Sequence, residues 1–123
     1  MAFINDLVFD NGLQVLTDDV DGLYICSQQP TTYAEASSTY ALGTKASPTV
    51  SSPQNGAVSG RRVTVSAISD GSVTDDGTAT HWALTDSGNS RLLAAGSLSP
   101  TQSVTNGNTF TLTEFSVTIP DAA

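Results

Sequence analysis

The chain has 123 residues, with four basic and twelve acidic side chains giving a formal charge of −8. That length suits one domain, and a 38% hydrophobic share supports one thin core. Lys45, Arg61, Arg62 and Arg91 are scattered apart from one pair, which argues against nucleic-acid binding; the negative field also disfavours anionic membrane surfaces.

The opening Met1-Ala2-Phe3-Ile4-Asn5-Asp6 lacks the basic start and long apolar stretch of a signal peptide. No run approaches the roughly 18 apolar residues of a membrane span. The expectation is a protein made and kept in the cytoplasm, or one that leaves it only inside an assembly. Residues 1–16 admit two readings. Ile4, Leu7, Val8 and Val15 fall on one helical stripe with Asn5 or Asp6 at its start. This favours a short helix or arm ending near Asn11-Gly12 and followed by an extended stretch. The alternative is a hairpin about Asn11-Gly12, which lies between apolar runs.

Gly22 to Ser27 reads as a buried strand. It carries Cys26, the sole cysteine, so no intrachain disulfide forms and a buried structural thiol is expected. Gln29 to Lys45 contains Pro30, two tyrosines and little periodicity, and reads as a long surface loop. Ser47 to Ser59, with Pro48, Pro53 and Asn55-Gly56, reads as an irregular or edge segment. Arg62 to Ala67 alternates as a half-buried strand does. Asp70-Gly71 and Asp75-Asp76-Gly77 read as turns. Thr78 to Thr85 is a strand, Asp86-Ser87-Gly88-Asn89 turns the chain, and Arg91 to Leu98 is its hairpin partner. Ser103-Val104 precedes the Asn106-Gly107-Asn108 turn, after which Phe110 and Leu112, then Phe115, Val117 and Ile119, alternate in two closing strands.

The fold class is therefore mainly β: a single antiparallel β-sandwich, jelly-roll or Ig-like, with about seven strands and a short N-terminal helix or arm. The expected core is Val63, Val65, Ala83, Leu92, Phe110, Leu112, Phe115, Val117 and Ile119.

Catalytic groups do not accumulate in this sequence. His81 is the only histidine, and no serine stands in a Gly-x-Ser-x-Gly context. His81 and Trp82 are strand neighbours, so they point to opposite sheet faces, one in the core and one at the surface or an interface. A zinc site needs three or four Cys or His ligands, and two such residues exist. The acidic stretches Asp18–Gly22 and Asp70–Gly77 lack the spacing and closing Glu of an EF-hand and read as solvated turns. Glu35 and Glu114 are too far apart in sequence to suggest a carboxylate pair. The chain reads as no enzyme, with no cofactor and no metal.

Two stretches carry a resemblance. Leu23-Tyr24-Ile25-Cys26-Ser27-Gln28-Gln29-Pro30-Thr31-Thr32-Tyr33-Ala34-Glu35-Ala36 is similar to a strand and "Pro-Thr-Thr-Tyr-Ala-Glu-Ala" loop. Thr80 to Leu98, with Val104-Thr105-Asn106-Gly107-Asn108-Thr109-Phe110, is similar to an aromatic-bearing strand, a hairpin and a turn into a last strand. Together they resemble small accessory structural proteins encoded among the virion genes of tailed phages and prophages, over about two thirds of the chain in order. The resemblance implies a non-enzymatic virion structural protein and carries no catalytic residues. The expected role is a capsid decoration (cement) protein, a trimer bound to the major capsid protein and stabilising the head. A tail-tip, fibre or neck protein bound to other virion proteins is the alternative, and a carbohydrate-binding module the reading from outside the virion. Tyr24, Tyr33, Tyr40, Arg61, Arg62 and Trp82 are the expected protein interface, since Tyr, Trp and Arg dominate interface hot spots.

Overall fold

The computed structural model describes residues 6–55 and 60–119. They form one α-helix, α1 (Asp6–Asp19), and nine strands: β1 (Gly22–Cys26), β2 (Ala41–Ala46), β3 (Gln54–Asn55), β4 (Arg61–Val65), β5 (Ile68–Val73), β6 (Gly77–Asp86), β7 (Arg91–Val104), β8 (Thr109–Leu112) and β9 (Phe115–Ile119). Every strand pairing is antiparallel. The fold is thus mainly β, in keeping with the sandwich-like class. The described chain gathers into two compact units: one holds α1, β3, β4 and β9, the other the remaining strands.

In the smaller unit the strand order is β3-β4-β9, and α1 packs on β4. Val63 and Val65 alternate inward from β4 and are wholly buried, while Leu13 and Leu16 are buried from α1. This corrects the expected helix end. The helix does not stop near Asn11-Gly12; it runs through both residues to Asp19. A glycine inside a helix costs about 1 kcal/mol relative to alanine, whereas burying each leucine gains roughly 1.5–3 kcal/mol. Of the expected stripe only Val15 has a described side chain, and it is 39% exposed; Ile4 and the start at Asn5, with the side chains of Leu7 and Val8, lie outside the described residues. The hairpin alternative is not formed. On β9, Phe115 and Val117 are half-buried rather than sealed, and the Ile119 side chain lies outside the described residues.

The larger unit is one six-stranded sheet in the order β7-β6-β1-β2-β5-β8. β1 lies inside it as expected, with Leu23, Ile25 and Cys26 wholly buried. Four expectations are corrected here. Gln29–Lys45 is not all loop, because Ala41–Ala46 forms β2, paired with β1 on one side and β5 on the other. Asp70-Gly71 is not a turn but the middle of β5, where the pairing with β8 shifts register between Ile68 and Gly71. β2 and β5, neither expected as a strand, bring the strands among the described residues to nine instead of about seven. Leu92, expected in the core, is half-buried, whereas Ala83, Phe110 and Leu112 are buried.

The sheet of the larger unit curls on itself. β7 and β8 stand at opposite ends of the strand order, yet only residues 105–108 join them. Those steps reach about 17 Å, while the edges of a flat six-stranded sheet would lie about 24 Å apart. The approach is direct: Gln102 Nε2 donates to the Thr111 carbonyl at 2.6 Å. Glycines admit this curl by making room for rings. A β-carbon on Gly43 would stand 3.0 Å from the Phe110 ring, and one on Gly71 only 2.3 Å from it. The β6–β7 pairing also jumps from Ala79↔Gln102 to His81↔Ser97, so the backbone bulges between Ser97 and Gln102.

Candidate interaction surface

Of the six residues expected at an interface, Tyr24, Tyr33, Tyr40 and Trp82 belong to the larger unit and Arg61 and Arg62 to the smaller; all are half-buried.

Tyr24 stands on β1 opposite Thr44 of β2 and Ala83 of β6. The buried trio Cys26, Ala36 and Ala83 lies beside it, and Tyr24, Tyr40, Leu92 and Ala95 pack around that trio. Burial raises the Tyr24 phenol above its ordinary pKa; the nearby Tyr33 adds to the rise, and a hydrogen bond with Thr44 opposes it. Tyr33 and Tyr40 flank a wide helical turn, Glu35–Thr39, whose last bond runs from the Tyr40 N–H to the Glu35 carbonyl at 2.9 Å. Glu35 Oε1 accepts both the Thr31 N–H and the Thr31 hydroxyl at 2.8 Å, clamping the start of the loop. Those bonds hold the Glu35 carboxyl below its usual pKa. Ser37 Oγ donates to the Tyr33 carbonyl at 2.8 Å. The segment from Pro30 to Tyr40 is therefore a pinned surface with Ala36 as its buried foot. The sequence signal for it was Pro30 and Ala36 flanking polar residues, which composition alone reads as loop.

Trp82 is on the other face of the same sheet, opposite Ile25 and Gly96. Its ring covers Gly96, where a β-carbon would stand 2.7 Å away. His81 is half-buried like Trp82, so the strand neighbours do not divide into one core and one exposed residue. The Thr80 hydroxyl donates to the Ser27 carbonyl at 3.0 Å and lies 2.8 Å from His81 Nδ1.

The acidic turns are occupied by local structure. Asp21 accepts the Ser87 N–H at 2.9 and 3.1 Å and the Ser87 hydroxyl at 2.7 Å. These bonds, the backbone one first, hold its pKa below the ordinary value. Asp86 Oδ2 accepts from Arg91 and Asn89, each at 2.8 Å, and is held low chiefly by Arg91. Asp70 pairs with Lys45 at 3.0 Å, and Asp76 Oδ1 accepts the Asn106 N–H at 2.7 Å. Among the described residues no three His, Cys, Asp or Glu side chains converge to hold a metal ion. The Asp21–Ser87 pair and His81 stand at opposite ends of β1, since Gly22 pairs with Thr85 and Cys26 with His81.

On the smaller unit the two arginines point to opposite faces of β4. Arg61 donates to Asn55 Oδ1 at 2.6 Å. Arg62 stands between Gln54 and Thr118 on the neighbouring strands, and its Nε is buried without a hydrogen-bond partner.

Comparison with protein-family models, curated proteins and solved structures finds no match to this chain. No helix among the described residues is long and apolar enough to cross a membrane.

Proposed function

We propose that this chain is a non-enzymatic structural protein of a tailed-phage particle, a capsid decoration protein that binds the major capsid protein as a homo-oligomer and strengthens the head. One observation carries the reading. The two stretches that bear the family resemblance fall on strands that are bonded to one another: Tyr24 of β1 pairs with Ala83 of β6, and Ala83 with Ala95 of β7. The resemblance thus follows one continuous piece of sheet together with the tyrosine-bearing turn packed on it. That piece offers a pinned surface carrying Tyr24, Tyr33 and Tyr40, the kind of rigid aromatic patch on which protein interfaces concentrate their energy.

The test is gold-labelled antibody imaging of particles that carry the protein. Even label over the head is the expected result. Label confined to one pole or to the tail overturns the decoration role in favour of a tail-tip, fibre or neck protein. Absence of label from particles, with glycan binding by the isolated chain, moves the assignment to a carbohydrate-binding module. In shell-binding assays, Tyr33→Ala combined with Tyr40→Ala is expected to weaken attachment by tenfold or more, at roughly 1–2 kcal/mol for each aromatic anchor.

A further inference from the structure

The edges of the two sheets are not equally guarded. β3 is two residues long. β8 is short and receives the Gln102 side chain on its Thr111 carbonyl. β7 carries Arg91 and is broken by two register shifts. β9 differs from all three. It pairs with β4 in one unbroken register from Phe115 to Ile119, carries no charged side chain and, among the described residues, has a strand on one side only. Uncharged, regular edges of this kind are what other strands pair with.

We infer that β9 is a self-association strand, which pairs antiparallel with β9 of a second copy about a two-fold axis through Val117. The strand is its own complement in that register. Phe115 falls opposite Ile119 of the second copy, Val117 opposite Val117, and Ser116 opposite Thr118. Phe115 and Val117 share a face with Val65 and Val63, which are wholly buried, whereas they themselves remain half-exposed. A second β9 continues that apolar face across the axis. On the other face, hydroxyls meet hydroxyls, extending the Thr64–Ser116 contact at 3.3 Å.

Charge selects a second copy as the occupant. Arg62 lies on the hydroxyl face opposite Thr118; its Nε is buried within its own chain, so only the rest of its guanidinium can meet a partner. Lys45 and Arg91, by contrast, pair with Asp70 and Asp86. In the two-fold register, Thr118 of the second copy stands between its own Arg62 and Ser116 of the first. Glu114, two residues before Ser116, then lies about 12 Å from that Arg62 between α-carbons. An arginine and a glutamate side chain together span that distance. The symmetry supplies this pair twice, in a chain whose net charge otherwise keeps copies apart.

A five-residue ladder is small beside the roughly 1,200 Å² of a stable interface, so the pairing is weak in free solution. Sedimentation of the full chain from micromolar to millimolar concentration is expected to show a monomer–dimer equilibrium. Ser116→Lys with Thr118→Lys places like charges opposite each other at two exposed positions, so the fold persists and the dimer is lost. Arg62→Glu and Glu114→Arg are each expected to raise the dimer Kd by roughly threefold or more, and the double exchange to restore it. A chain that stays monomeric throughout, a trimer, or a dimer indifferent to the lysine pair overturns the inference. So does failure of the exchange to restore pairing.

Discussion

Phe110 on β8 occupies the space that a side chain at Gly71 on β5 would need, and its ring reaches Gly43 on β2 as well. Three adjacent strands therefore share one ring. Gly71→Ala forces that ring or its strand to move and is expected to cost about 1–3 kcal/mol. Phe110→Ala empties the site and costs about 3–5 kcal/mol. Because the alanine methyl partly fills the emptied space, the double variant should be more stable than the sum of the two losses implies. Urea unfolding of the four proteins measures this, and strict additivity contradicts the shared site.

The helix makes a second comparison. Leu13 is 2% exposed and Val15, two residues on, is 39% exposed. Leu13→Ala is expected to lower stability by about 2–5 kcal/mol, and Val15→Ala by well under 1 kcal/mol. Deleting residues 1–16 removes both Leu13 and Leu16 and is expected to abolish the cooperative unfolding of the smaller unit. Equal effects of the two point substitutions would show that α1 does not bury the face described.

Acid should weaken the fold through the carboxylates held below their ordinary pKa, Asp21 and Asp86 besides Glu35. Asp21 and Asp86 are both held below their ordinary pKa of 3.8, by Ser87 and by Arg91 respectively. A depressed native pKa means that the ionised form stabilises the fold. The contribution is complete above 3.8 and is lost as pH falls through the lower native values. Unfolding free energy followed from neutral pH downward is expected to drop below 3.8 in the wild type. Asp21→Asn with Asp86→Asn starts less stable at neutral pH and shows a shallower acid limb. An unchanged limb would place the acid sensitivity elsewhere.

Cys26 is wholly buried, and its Sγ donates weakly to the Ala36 carbonyl at 3.6 Å. Burial pushes the thiol pKa up to about 11, so little thiolate exists at neutral pH. A disulfide-exchange reagent is expected to react with the native protein only as fast as the larger unit opens. In denaturant it should reach one thiol per chain. Rapid native reaction would mean that the turn over Cys26 lifts freely.

Much of the strand pattern was legible because alternation is a local signal. Val63 and Val65, Phe110 and Leu112, and the β6–β7 hairpin around Asp86–Asn89 could all be read from spacing. The failures share a cause, a residue whose local preference is overridden by something distant in sequence. Gly12 says stop, but Leu13 and Leu16 find buried positions in the smaller unit. Pro30 and the missing periodicity of 29–45 say loop and Gly71 says turn, but Gly43 and Gly71 both make room for Phe110, whose place no local pattern gives. The aromatic and arginine candidates were legible as residue types. Their arrangement was not, since it depends on strand register: Tyr24 and Trp82 face opposite ways across one sheet, as do Arg61 and Arg62 on β4.

The pairing of β4 with β9 has a consequence for how the chain is made. Thr64 and Ser116, which touch across that ladder, are 52 residues apart. Between their appearances at the ribosome, all of β5 to β8 must emerge. Val63 and Val65 therefore wait without their last neighbour while the six-stranded sheet completes itself, held in that interval by whatever α1 and β3 provide. Synthesis from the N-terminus thus orders the two units in time: the sheet that is interrupted finishes last. A pause in translation after Leu112 would leave a nascent chain with one unit able to close and the other still lacking its third strand.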